Sequence, residues 1–199
     1  MRLAKILHIS VLIILSFILS ACITGNHNAV GRKIFNENNL NNWIQVGAAI
    51  WKVSERQISV ADPKADGMLI TKEKYSNFKL SLEFWVDEKV NSGVFIRCSD
   101  ADKITPFNCY EMNIWDQHPK QEYRTGSIVT LVSPPLAQVK TVNKWNKYEI
   151  IAAQNNILVT INGIVTARLK DTKHSSGYIA LQSANNGSVR FRNIILEEL

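Results

Sequence analysis

Side chains of alternating character along Phe78 to Val86 constrain this chain more than any other feature. Phe78, Leu80, Leu82, Phe84 and Val86 share one face, while Lys79, Ser81, Glu83 and Trp85 share the other. A period of two is the pattern of a half-buried β-strand. The same period recurs along most of the chain, and no long run shows the helical repeat. Further strands are expected at Ile50–Val53, Gln57–Val60, Met68–Thr71, Ser92–Cys98, Tyr110–Trp115, Gly126–Leu131, Lys147–Ala152, Ile157–Ile161, Val165–Leu169, Tyr178–Gln182 and Val189–Leu196. Turn residues separate them, among them Asp62-Pro63, Asn91-Ser92-Gly93, Pro134-Pro135 and Asn186-Gly187. Asn162-Gly163 between two β-branched runs is the signal of a tight type I′ hairpin. About a dozen short antiparallel strands with regular turns predict an all-β sandwich or jelly roll.

The N-terminus follows a different rule. Arg2 and Lys5 precede an apolar stretch from Ile6 to Ser20, which is shorter than the roughly 20 residues of a membrane-spanning helix. It ends in Leu19-Ser20-Ala21-Cys22, which resembles the lipobox of bacterial lipoproteins. That resemblance implies cleavage before Cys22 and lipidation of Cys22. The expected layout is a signal peptide over 1–21, a lipidated cysteine and polar tether over 22–30, and one domain over 31–199. Such a protein is expected in the bacterial cell envelope, exported and held to a membrane by its acyl chains.

The chain carries a formal charge of +6, and loss of Arg2 and Lys5 leaves 21 basic against 17 acidic residues, or +4. The basic residues are dispersed among acids, whereas a nucleic-acid partner would require them clustered. Besides Cys22 there are Cys98 and Cys109, which an exported domain is able to bond. The scattered histidines give no structural zinc spacing.

Pairing of the two strands around residues 92–98 and 110–115 follows from their apolar faces. Val94, Ile96 and Cys98 on one, with Tyr110, Met112 and Ile114 on the next, keep a common core side if Ile96 pairs with Met112. Arg97 then opposes Glu111 and Phe95 opposes Asn113 on the polar face, with Gly93 near Trp115. Cys98 and Cys109 fall on opposite faces in this register, so a disulfide between them requires a β-bulge or a shift in the long connection between them. Arg97, Glu111, Asn113 and Trp115, with Glu83 and Trp85 from a nearby strand, supply the flat rings and planar polar groups that bind sugars. The bland alternative for Arg97 and Glu111 is a cross-strand ion pair contributing at most about 1 kcal/mol. Asp116 and His118 open a loop, either as a proton-transfer pair or as a simple turn before Pro119.

Several ordered motifs resemble the 3-keto-disaccharide hydrolase family. They are Asn91-Ser92-Gly93-Val94-Phe95-Ile96-Arg97, Tyr110-Glu111 followed by Asp116, Thr125-Gly126 with a later proline pair, Trp145 to Ile150, Gly177 to Gln182 and Val189 to Ile194. The resemblance spans essentially all of 31–199. It implies a concanavalin-like jelly roll acting on glycosides oxidised at C3, by loss of the C2 proton and departure of the C1 substituent. Under that implication Glu111 is the base and Arg97 stabilises the enolate. Asp116 and His118 serve as alternatives for proton transfer. Asn113, Trp115, Trp85, Glu83 and Gln182 bind the sugar. No cofactor is demanded, although a divalent cation held by carboxylates would suit an enolate. The chain departs from the family pattern after Leu181-Gln182, where many members carry a histidine and this chain has Ser183-Ala184-Asn185-Asn186. A non-catalytic carbohydrate-binding module is the alternative on the same fold.

Overall fold

The computed structural model describes residues 31–184 and 187–199. The expected signal peptide, Cys22, the tether and Asn185-Asn186 lie outside the described residues. Thirteen strands follow in order: β1 Arg32–Lys33, β2 Trp43–Gly47, β3 Trp51–Ser54, β4 Gln57–Val60, β5 Gly67–Thr71, β6 Phe78–Val86, β7 Ser92–Cys98, β8 Tyr110–Ile114, β9 Trp145–Ala153, β10 Asn156–Ile161, β11 Ile164–Lys170, β12 Tyr178–Ser183 and β13 Val189–Glu198. A single 3-10 turn covers Gln121–Tyr123. The strands form a sheet of eight, in the order β11-β10-β9-β6-β13-β4-β3 with β1 beside β13, and a sheet of five, in the order β2-β5-β12-β7-β8. This is the expected antiparallel sandwich.

Alternation sets the main core. On β6 the five apolar side chains from Phe78 to Val86 are at most 2% exposed, and the residues between them are half-buried. They meet Val94, Ile96, Tyr110, Met112 and Ile114 from the smaller sheet in one continuous apolar layer. Ile161 pairs with Ile164 across the Asn162-Gly163 turn, and both turn residues take positive φ, as a type I′ hairpin requires. The expected strand list differs from the observed one in two ways. β1 and β2 carry too short or too mixed a pattern to be read from sequence. Residues 126–131 form isolated bridges, Met112 to Ile128 and Ile128 to Val132, rather than a strand. Their backbone turns back on itself, with Gly126 at φ +92° and Thr130 at φ 67°.

The pairing of β7 with β8 also differs from expectation. Val94 opposes Met112 and Phe95 opposes Glu111, a slip of two residues from the expected register. A two-residue slip keeps every side chain on its face, so the apolar pattern could not distinguish the two. Both strands are buried along both faces, because the loops beyond them fold back over the outer side. Between Tyr178 and Ala180 of β12, the pairing with β7 shifts by one residue. The bulge lies at Arg97, whose φ of 52° is left-handed. It turns Cys98 from the core to the outer face, where Cys98 and Cys109 are bonded with their Cα atoms 4.2 Å apart. The bonded pair packs with Ile70, Phe95 and Ala180 in a second apolar cluster, against which Ala101 and Ile104 of the 99–109 loop rest.

Candidate functional site

Reading the registers across the smaller sheet gives two rows of outward-facing side chains. One row runs Glu111, Phe95, Ala180, Ile70, Ile44. The next runs Asn113, Gly93, Gln182, Met68, Val46. The disulfide-held loop covers the apolar middle of the first row. Glu111 therefore stands at the edge of a dry patch, beside a glycine.

Glu111 is 8% exposed, and burial alone pushes its carboxyl up to about 7. Among the described residues that carboxyl has no hydrogen-bond or ion-pair partner. A buried carboxylate without a partner is costly, and such arrangements cluster where chemistry or binding needs them. Gly93 provides the space beside it: a Cβ there would stand 3.5 Å from Glu111 Oε1 and 3.3 Å from the Phe95 ring. On the far side of that glycine, the buried Gln182 Oε1 has no partner either. Behind the strand, in the core, the Tyr148 hydroxyl donates to Asn113 O at 3.4 Å. Burial, with the charge of Glu111 adding to it, raises the Tyr148 phenol far above its ordinary value.

The other expected site residues are placed differently. Arg97 is turned inward by the bulge and is 1% exposed. Its guanidinium donates to Ser76 O at 2.6 and 2.9 Å, to Gln154 O at 2.8 Å and to His174 O at 3.2 Å. It ties three loops together at one end of the sandwich and does not meet Glu111. Desolvation lowers its pKa, and the carbonyls around it keep the cation hydrogen-bonded. Asp116 accepts from Thr141 N at 2.7 Å and Thr141 Oγ1 at 2.8 Å, so both its oxygens fasten one loop to the next. His118 Nδ1 accepts from Lys120 N at 3.0 Å, within its own turn. The His118 ring packs edge-on between Trp115, at 4.4 Å, and Tyr123, at 5.6 Å. Asp116 and His118 are thus turn-forming groups and not a proton-transfer pair. Asn113 is on the Glu111 face as expected, but its side-chain amide donates to Tyr123 O.

Glu83 and Trp85 keep the outward orientation that alternation assigns them, on the opposite sheet. Glu83 bonds Arg192 at 2.7 Å, and Arg190 lies 3.9 Å over the Trp85 ring. Parity along a strand says which face a residue shares, and nothing about which sheet the strand joins. Gln182 lies on the outer row of the smaller sheet that also holds Asn113 and Gly93. Gly93 was missed as a site residue because a glycine in an Asn-Ser-Gly run reads as a turn. Its position opposite Asn113 gives it a different role. Among the described residues no three His, Cys, Asp or Glu side chains converge, so Glu111 would offer a cation one carboxylate only.

Residues 31–197 match the family of 3-keto-alpha-glucoside-1,2-lyase-like domains. The chain belongs to that family. Its fold is similar to that of a presumed glycosyl hydrolase from Parabacteroides distasonis, with 24% identity and a TM-score of 0.74 over 85% of this chain and 100% of the other. A second presumed glycosyl hydrolase from the same organism shows 16% identity and a TM-score of 0.71, over 83% and 92% of the two chains. A carbohydrate binding module from Bacillus subtilis shares the fold at 17% identity and a TM-score of 0.60, covering 80% and 98%. Among curated protein sequences none matches this chain significantly.

Proposed function

We propose that this family member is an exported, lipid-anchored enzyme that cleaves 3-keto glycosides, with Glu111 as the base. One observation carries the proposal: an 8% exposed carboxyl, raised to about 7 and unpartnered among the described residues, beside the bare Cα of Gly93. A base works best when its pKa lies near the working pH, and burial has moved Glu111 there. A ketone at C3 acidifies the C2 hydrogen. Glu111 takes that proton, the electron pair enters the C3 enolate, and its return expels the C1 oxygen substituent to leave a C1–C2 double bond. Addition of water across that bond would complete a net hydrolysis. Gln182, whose buried side-chain oxygen has no partner among the described residues, is the second group assigned to the sugar in this reading. Arg97 is occupied elsewhere and takes no part.

A non-catalytic sugar-binding module is the second reading. It is favoured by the loss of Arg97, Asp116 and His118 to structural bonds, which leaves Glu111 without an electrophilic partner of its own. Aglycone release from a 3-keto glucoside by wild type and by Glu111→Gln separates the two. Turnover that disappears in the variant supports the enzyme. Saturable binding of the same sugar with no turnover by wild type would replace the enzyme by the module.

A further inference from the structure

The opposite face of the sandwich carries a second set of sugar-compatible groups, unrelated to Glu111. Registers across the larger sheet put Lys52, Ser59, Arg190, Trp85 and Trp145 in one outward row, each strand contributing one residue. The Arg190 guanidinium lies 3.9 Å over the Trp85 ring and 5.8 Å from the Trp145 ring. Arg192, one outward position along, lies 3.9 Å over the Trp145 ring. The two tryptophans and two arginines therefore form one stacked group.

Its charges are unequally satisfied. Glu83 is the acid at the centre of this face, and it is spent on Arg192 at 2.7 Å and Asn193 at 3.0 Å. The Arg190 guanidinium makes no hydrogen bond or ion pair among the described residues, and neither does the Lys52 ammonium. Stacking holds the guanidinium flat while leaving its fork of N–H donors unused. Beside it is a depression of about 270 Å³ lined by Lys52, Ser59, Val60, Pro63, Trp85 and Arg190. Pockets for drug-sized ligands occupy roughly 300–1,000 Å³, so this one limits its occupant to about one ring.

We infer that this depression is a binding site for a carboxylated pyranose, a hexuronate unit of an acidic saccharide. Arg190 donates its N–H fork to the planar carboxylate, Lys52 adds a second positive charge, and the apolar atoms of Val60, Pro63 and Trp85 that line the depression meet the sugar ring. A neutral hexose would leave two cations unpaired, and a small inorganic anion would leave the apolar lining uncovered. The site and Glu111 lie on opposite outer faces, with both sheets and the core between them. An acidic chain held here would leave the Glu111 face open.

The test is titration of the whole protein with glucuronate, glucose, acetate and sulfate, followed through the indole N–H signals in 1H–15N spectra. Glucuronate is expected to shift the Trp85 and Trp145 signals and to bind at least tenfold more tightly than the other three. Trp43, buried with its indole bonded to Ile34 O at 3.1 Å, should stay in place. Arg190→Gln should weaken glucuronate at least tenfold, and Lys52→Met severalfold with little risk to folding, since Lys52 is exposed. Glu111→Gln should leave this binding unchanged, which separates the inference from the proposed activity. Equal binding of glucose, equal binding of acetate or sulfate, or undiminished affinity in both cation variants would overturn it.

Discussion

Replacing Glu111 by glutamine should stabilise the protein at alkaline pH while removing its chemistry. The carboxyl ordinarily titrates at 4.5 and is raised to about 7 in the folded chain, with burial as its cause. Folding therefore favours the protonated form. Between about 4.5 and about 7 the folded state binds more protons than the unfolded state, so stability falls as pH rises through that window and then levels off. At about 1.4 kcal/mol per pH unit, the full loss is about 3 kcal/mol. Little is lost to solvent screening, because Glu111 is 8% exposed. Glutamine keeps the shape and cannot ionise. At pH 8 the variant should exceed wild type by up to about 3 kcal/mol, which for a domain of this size is about 6–12 °C in Tm. At pH 4 the two should coincide. Urea or thermal unfolding of both proteins at pH 4, 6 and 8 measures this directly. In parallel, wild-type kcat/KM should rise through about pH 7 as the base ionises, and the variant should lose a factor of about 100–10,000. A stability difference independent of pH, or a wild type more stable at pH 8, would refute the buried, unpaired carboxyl on which the site rests.

Arg97→Met should cost about 3–5 kcal/mol in urea unfolding, because the carbonyls of Ser76, Gln154 and His174 lose a charged donor. Activity per folded molecule should stay within a few-fold of wild type, and a thousandfold loss would restore Arg97 to the chemistry. Replacing both Cys98 and Cys109 by alanine opens a loop with a sequence separation of 11, for a loss of about 3 kcal/mol by denaturant titration. The same change frees the 99–109 loop from the apolar cluster beside Glu111, so weaker sugar affinity should accompany it. Gly93→Val fills the space next to Glu111 Oε1, with Gly93→Ala intermediate. Sugar affinity or turnover should fall at least tenfold in the valine variant while Tm drops by a few degrees, and full retention would place the ligand elsewhere.

By itself, the sequence determined the fold class and the partition of most side chains between core and outside. Alternation on β6, the Asn162-Gly163 hairpin and the inward faces of β7 and β8 needed only strand periodicity and turn chemistry, which are local. Ordered motifs from Asn91 to Ile194 were enough for the family. Glu111 was legible as an outward polar residue, while Gln182 entered only through the family resemblance.

Tertiary structure decided which outward residues share a surface. Glu83 and Trp85 have the right parity but belong to β6, which joins the other sheet, and sheet membership is a non-local choice made by chain topology. The two-residue slip between β7 and β8 leaves every face unchanged, so no apolar pattern could report it. The bulge at Arg97 reverses the sides of Arg97 and Cys98 together. It sends a guanidinium into the loop end of the core and brings two sulfurs within bonding reach. The slip set Phe95 in place of Arg97 opposite Glu111, the left-handed residue turned Arg97 inward, and the energy that makes Glu111 a candidate base comes from burial that only packing creates.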